Sequence, residues 1–141
     1  MYTLAKRFRF PAAHTLHSPS LSEEENREVY GKCANPTGHG HDYIIEVIVS
    51  GPGLIDDVVV GHGWLSDLVG QHLVSKLMFQ NLNDAFGEGF IPTGENLAHA
   101  VWELLDSHLP AGLSLAVRLV ETPKNAFVFR GDREQPDSKG V

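Results

Sequence analysis

Three histidines and one cysteine carry most of the chemical content of this chain of 141 residues. His39 and His41 flank a single glycine. In an extended chain, residues i and i+2 point to the same side, roughly 7 Å apart along the strand. Two imidazoles so placed can converge on one metal ion. His14 offers a third nitrogen at the end of an alternating segment. Three neutral imidazoles with a fourth position left open form the donor set of a catalytic zinc site rather than a structural one. Zinc is therefore the expected ion. The plain alternative is a set of polar loop histidines, since short motifs also match by chance. His17, three residues on, could replace His14 but reads more easily as exposed loop.

Cys33 is the only cysteine and precedes His39 by six positions. Beside a metal its thiolate can act as a base, act as a nucleophile or fill the fourth coordination position. Against this stands the small buried residue without a role. Glu121 continues the parity of the apolar row Leu113, Leu115, Val117 and Leu119. A carboxylate at the end of such a row must be hydrogen-bonded or sit at a cavity mouth. There it suits a heterocycle presenting two adjacent N–H donors. If the strand has already ended, Glu121 is simply solvated.

These residues need elements to position them. From Tyr2 to His14 the residues Tyr2, Leu4, Phe8, Phe10 and Ala12 fall on even positions and Arg7 and Arg9 on odd ones, which predicts a strand whose even face, His14 included, points inward. Thr15 to Gly38 is a polar connection with a short helix near Ser22 to Tyr30. Asp42 to Ser50 predicts a second strand, and His39 and His41 share the odd face of Tyr43, Ile45 and Val47. Apolar residues at helical spacing predict a helix from Trp64 to about Gln80. A second helix starts at Thr93 as N-cap and stops near Pro110. Leu113 to Leu119 and Asn125 to Arg130 predict the last two strands. Two helices on one face of a four-stranded antiparallel sheet is the α+β arrangement that this order suggests. Residues 1–131 then form one domain, and 132–141 a polar tail expected to be mobile.

Composition narrows the classes. The formal charge is −7, and no basic stretch would track a phosphate backbone, so nucleic acid is not an expected partner. No apolar run approaches the roughly 18 residues of a membrane helix. The N-terminal residues lack a signal-peptide core, and the single cysteine suits a reducing cytoplasm.

The segments Phe8 to His14, Gly31 to Tyr43, Asn81-Leu-Asn83, Pro92 to Asn96 and Glu121-Thr122 resemble the 6-pyruvoyl-tetrahydropterin synthase / 6-carboxytetrahydropterin synthase family. The gap between Cys33 and His39 looks more like the pyruvoyl-type enzymes. The resemblance implies the tunnelling fold, a homohexamer built as a dimer of trimers, and a lyase acting on 7,8-dihydroneopterin triphosphate. Such enzymes serve tetrahydrobiopterin or queuosine biosynthesis. It implies His14, His39 and His41 as zinc ligands, Cys33 as the catalytic cysteine, Glu121 as the anchor of the pterin ring, and Thr93 in the segment lining the pterin pocket. One departure matters. The family's Asp-His proton relay falls on Met78 and Phe79, and neither can carry a proton. His72, two helical turns earlier, is the one expected substitute. A non-catalytic or altered pterin-binding homologue is the competing expectation.

Overall fold

The computed structural model describes residues 1–35 and 38–131. The expected tail at 132–141, and Pro36 and Thr37, lie outside the described residues. Four strands form one antiparallel sheet in the order β1 (Tyr2–His14), β2 (His39–Gly51), β3 (Ser114–Thr122) and β4 (Asn125–Phe129). The α+β expectation is therefore met.

Strand parity sets everything that follows. Phe10, Ala12 and His14 of β1, and Tyr43, Ile45, Val47 and Val49 of β2, face inward and are buried. The opposite face carries charge, where Arg7 pairs with Glu46 and Arg9 with Asp42. A slip of one residue in β2 would expose Ile45, Val47 and Val49. That costs on the order of 5 kcal/mol at about 1.5–3 kcal/mol per buried side chain. The register is thus fixed by the core, and it seats His14 directly opposite His39 and Ala12 opposite His41.

The helical elements are α1 (Glu23–Tyr30), α2 (His62–Val69), α3 (Ser75–Leu77), α4 (Leu82–Ala85) and α5 (Gly94–Asp106). A 3₁₀ turn, Gly31–Ala34, follows α1. Leu65, Leu68 and Val69 of α2, and Leu97, Ala98, Val101 and Leu105 of α5, close the core over the inner face of the sheet. None of the helices among the described residues is long and apolar enough to cross a membrane.

The structure corrects several boundaries. The helix expected from Trp64 to Gln80 begins at His62 and is interrupted by a π-helical turn at Gly70–Val74. It ends at Leu77, because Met78 is extended (ψ 127°) and Phe79 takes a left-handed φ of 59°. The next residues then pair with the free edge of β1: the Phe79 N–H donates to the Pro11 carbonyl and the Ala13 N–H to that of Gln80. β2 begins at His39 rather than Asp42, so the histidine pair lies within the strand. β3 runs on to Thr122, which makes Glu121 a strand residue.

Candidate metal centre and substrate pocket

The sheet alone brings three imidazoles together. The ring centroids lie 5.2 Å apart for His14 and His39, 4.7 Å for His14 and His41, and 4.4 Å for His39 and His41. Cys33 comes from the 3₁₀ turn, and backbone ties hold it beside them. The Cys33 carbonyl accepts from the Leu16 N–H at 2.7 Å and from the Thr15 hydroxyl at 3.4 Å, immediately after His14. Asn83 in turn holds Thr15 at both its N–H (2.9 Å) and its carbonyl (2.8 Å). Upstream, the α1 start is fixed by a capping box between Ser22 and Glu25. Buried Asn26 ties the preceding loop through Ser18, Leu21 and Ser22.

The result is a tight donor set. One ligand atom from each of His14, Cys33, His39 and His41 lies within 4.8 Å of the others. Nε2 of His14 faces Nε2 of His41 at 3.1 Å, and Cys33 Sγ lies 3.4 Å from His39 Nε2. The His14 tautomer follows from its other nitrogen. Nδ1 sits 3.1 Å from the Pro92 carbonyl, which can only accept, so Nδ1 carries the proton. The Nε2 lone pair is left bare and aimed at the site. Tyr43 Oη lies 3.1 Å from the same Nδ1. Such orientation of a ligand histidine by outer partners is the usual support of a metal site. Tetrahedral zinc with bonds near 2.0–2.1 Å separates its nitrogen ligands by about 3.3 Å, close to the 3.1 Å between Nε2 of His14 and Nε2 of His41.

The electrostatics agree with a donor set held ready. Burial, and then His41 and His39, push the His14 imidazole down to about 4, so it is neutral at pH 7. His41 is lowered by burial and by His39. Burial and then Glu121 push the Cys33 thiol up, so a nearby cation is needed to favour its thiolate. Glu121 is half-buried, and its carboxyl is raised by burial and then by Glu95 in the first turn of α5. Tyr43, fully buried, is raised too, by burial first and then by Glu121 and Cys33. Glu121 therefore shares one local field with Cys33 and Tyr43. Thr93 is the N-cap of α5, with its hydroxyl accepting from the Asn96 N–H at 3.1 Å, one residue after the carbonyl that holds His14.

Other sequence expectations fare differently. His17 is exposed and outside the donor cluster. His72 sits in the π-helical turn with its ring stacked on His108 at 4.1 Å. It is not one of the grouped donor residues. His99 lies 3.1 Å from Glu103 and packs on Phe129. Met78 packs against the core, whereas Phe79 is 79% exposed. Tyr43, Pro92 and Asn83 are supporting residues that pattern reading left without a role. Tyr43 was signalled by its parity with His41, and Asn83 by its Asn-Leu-Asn segment. The Pro92 carbonyl has no side-chain signal at all.

Residues 3–132 match the family described as 6-pyruvoyl tetrahydropterin synthase. The 6-pyruvoyl tetrahydrobiopterin synthase of Poecilia reticulata is 43% identical over 128 residues, covering 87% of this chain and 86% of that protein. That of Drosophila melanogaster is 40% identical over 135 residues, covering 91% and 79%. The solved structure of Caenorhabditis elegans 6-pyruvoyl tetrahydropterin synthase superposes with a TM-score of 0.82 at 34% identity, covering 93% of this chain and 96% of that one. Sequence match, fold and the grouped donor residues agree. The chain belongs to the 6-pyruvoyl tetrahydropterin synthase family.

Proposed function

We propose that this protein is a zinc-dependent lyase acting on the side chain of 7,8-dihydroneopterin triphosphate or a close relative. The observation that carries the reading is the convergence of one ligand atom each from His14, His39, His41 and Cys33 within 4.8 Å of one another. A cytoplasmic homohexamer, a dimer of trimers, is the assembly we propose with it, supported by the family relationship.

His14, His39 and His41 would hold the ion. When bound, zinc supplies Lewis-acid polarisation of the side-chain hydroxyls and lowers the cost of removing neighbouring protons. Glu121 would take the ring by accepting from its adjacent N–H donors. Cys33 would remove a proton from the side chain and return one at the neighbouring atom. Loss of that proton beside the phosphorylated carbon breaks its C–O bond, and triphosphate leaves with the electron pair. The remaining steps are proton shifts within the substrate, so no external oxidant or reductant is needed.

A second reading rests on Met78 and Phe79. Without the relay, the same pocket binds a pterin and turns it over slowly or not at all. The two are separated by incubating zinc-loaded protein with 7,8-dihydroneopterin triphosphate and following the products by mass. The lyase reading expects a pterin product that has lost triphosphate. Tight pterin binding with no product would replace it with the binding protein.

A further inference from the structure

We propose that a cavity beyond the far end of β2, lined by Trp64, Leu113 and Asp56, binds a small apolar cation: an aromatic or branched hydrocarbon carrying one protonated amine. The histidine pair stands at the start of β2, whereas the cavity follows its last residue, Gly51. The strand from His41 to Gly51, at about 3.3 Å per residue, puts roughly 30 Å between them. The cavity is therefore a site apart from the metal centre.

Its volume is about 740 Å³, within the roughly 300–1,000 Å³ of small-molecule sites. Its walls come from the stretch that follows β2, the stretch that leads into β3, and Trp64 of α2. Leu113 closes the side next to β2. A Cβ at Gly51 would lie 2.6 Å from Leu113 Cδ2, so a side chain there would displace it. Leu54, Val58 and Val59 supply further apolar surface. Leu54 and Trp64 are each 43% exposed and Ile55 79%, so apolar surface gathers here without a covering element.

Asp56 gives the site its sign. Among the residues that line the cavity it alone is charged. Its carboxylate makes no hydrogen bond or ion pair among the described residues. Lys6 donates to the carbonyl of His62, next to the lining residue Gly61, and not to Asp56. A tight hairpin places the carboxylate: the Ile55 and Val58 backbones exchange both hydrogen bonds, at 3.0 and 3.1 Å. Asp56 and Asp57 fill its turn with left-handed φ values of 52° and 65°. Turns of this kind prefer Asn or Asp followed by Gly. An apolar body fits the walls, while the Trp64 face and the carboxylate both attract positive charge. An uncharged apolar molecule would desolvate Asp56 without a partner, and an anion would be repelled by it. In a chain of formal charge −7, the overall field also draws a cation in. The concave shape and volume favour a small molecule over the face of a second copy.

The test is calorimetric titration of the full chain with naphthylmethylamine, and separately with naphthylacetate, which offers the same ring system with the opposite charge. The amine should bind, equally well with zinc present or removed by a chelator, and the acid should bind at least about ten-fold more weakly. Asp56→Asn keeps a residue that this turn favours and should lose about ten-fold in affinity for the amine. Asp57→Asn makes the same change of net charge at a residue that does not line the cavity, and should leave the affinity unchanged. Trp64→Ala should lose binding, with an unchanged melting temperature reporting that it is folded. No binding of the amine by the parent protein, or equal binding by Asp56→Asn, overturns the site. So does sedimentation showing self-association that Trp64→Ala abolishes and the amine leaves untouched, since the cavity would then be a contact between copies.

Discussion

Nε2 of His14 and Nε2 of His41 face each other at 3.1 Å across the end of the β1–β2 ladder. The Pro92 carbonyl keeps the His14 proton on Nδ1, so the His14 side of this approach is a bare lone pair. In the absence of an ion His41 Nε2 can donate a hydrogen bond to that lone pair; an ion between the two rings would take both nitrogens instead. His39→Ala removes one of three nitrogen donors and should lower zinc content, by elemental analysis of the dialysed protein, to well under one ion per chain. Full retention would contradict the assignment.

Tyr43→Phe deletes one hydroxyl and keeps the ring that stacks on Phe10 at 5.2 Å. The fold should lose only about 1 kcal/mol, the net value of one hydrogen bond. Metal affinity, measured by chelator competition, should fall about 10-fold or more, as it does when an outer partner of a ligand histidine is removed. A change in stability alone would make Tyr43 a packing residue.

Asn83→Ala breaks the paired hydrogen bonds to the Thr15 backbone. Two part-buried backbone groups lose their partner, at about 1–3 kcal/mol each. Denaturant unfolding should show a loss of at least about 2 kcal/mol. Metal affinity should weaken as well, because Thr15 leads directly from His14 to the Cys33 carbonyl.

The metal-free protein should lose stability as pH falls from about 6.5 toward 4. His14 titrates near 4 when folded and at about 6.5 when unfolded. Between these values the unfolded chain binds a proton that the folded chain refuses, so acid favours unfolding. Above 6.5 neither state is protonated and below about 4 both are, so the slope from this residue vanishes outside the window. Melting temperatures of chelator-treated protein across pH 4 to 8 check it, with His14→Gln as the variant that should flatten the curve.

Gly94→Ala tests how α5 meets the sheet. A Cβ at position 94 would overlap the Phe127 ring of β4, and overpacking of this kind typically costs about 1–3 kcal/mol. The expected result is a lower melting temperature, with Phe127→Leu partly restoring it.

The centre was legible from the sequence because strand parity carries side-chain direction. Phe8, Phe10 and Ala12 of β1 share the parity of His14, and Tyr43, Ile45, Val47 and Val49 of β2 that of His39 and His41, so the inward facing of the three histidines follows from their apolar neighbours. The α+β layout was readable for the same reason. What was not legible depends on contacts between distant segments. The left-handed φ of Phe79 belongs to a residue type that avoids it, and it holds because the following backbone pairs with the edge of β1. The π-helical turn and the stacking of His72 on His108 arise where α2 crosses the core, and the helical period of the sequence does not reveal them. The cavity beyond the end of β2 is formed where residues 52–61 meet residues 110–113, distant segments that no pattern in the sequence pairs.

The most direct test of a metal open to substrate is cobalt(II) substitution followed by visible spectroscopy, since the spectrum reports ligand set and geometry. The account predicts one cobalt per chain with intense low-symmetry bands. These should shift on adding 7,8-dihydroneopterin triphosphate, whether or not turnover follows. Failure to bind cobalt stoichiometrically, or a cobalt spectrum that saturating pterin leaves unchanged, would contradict it.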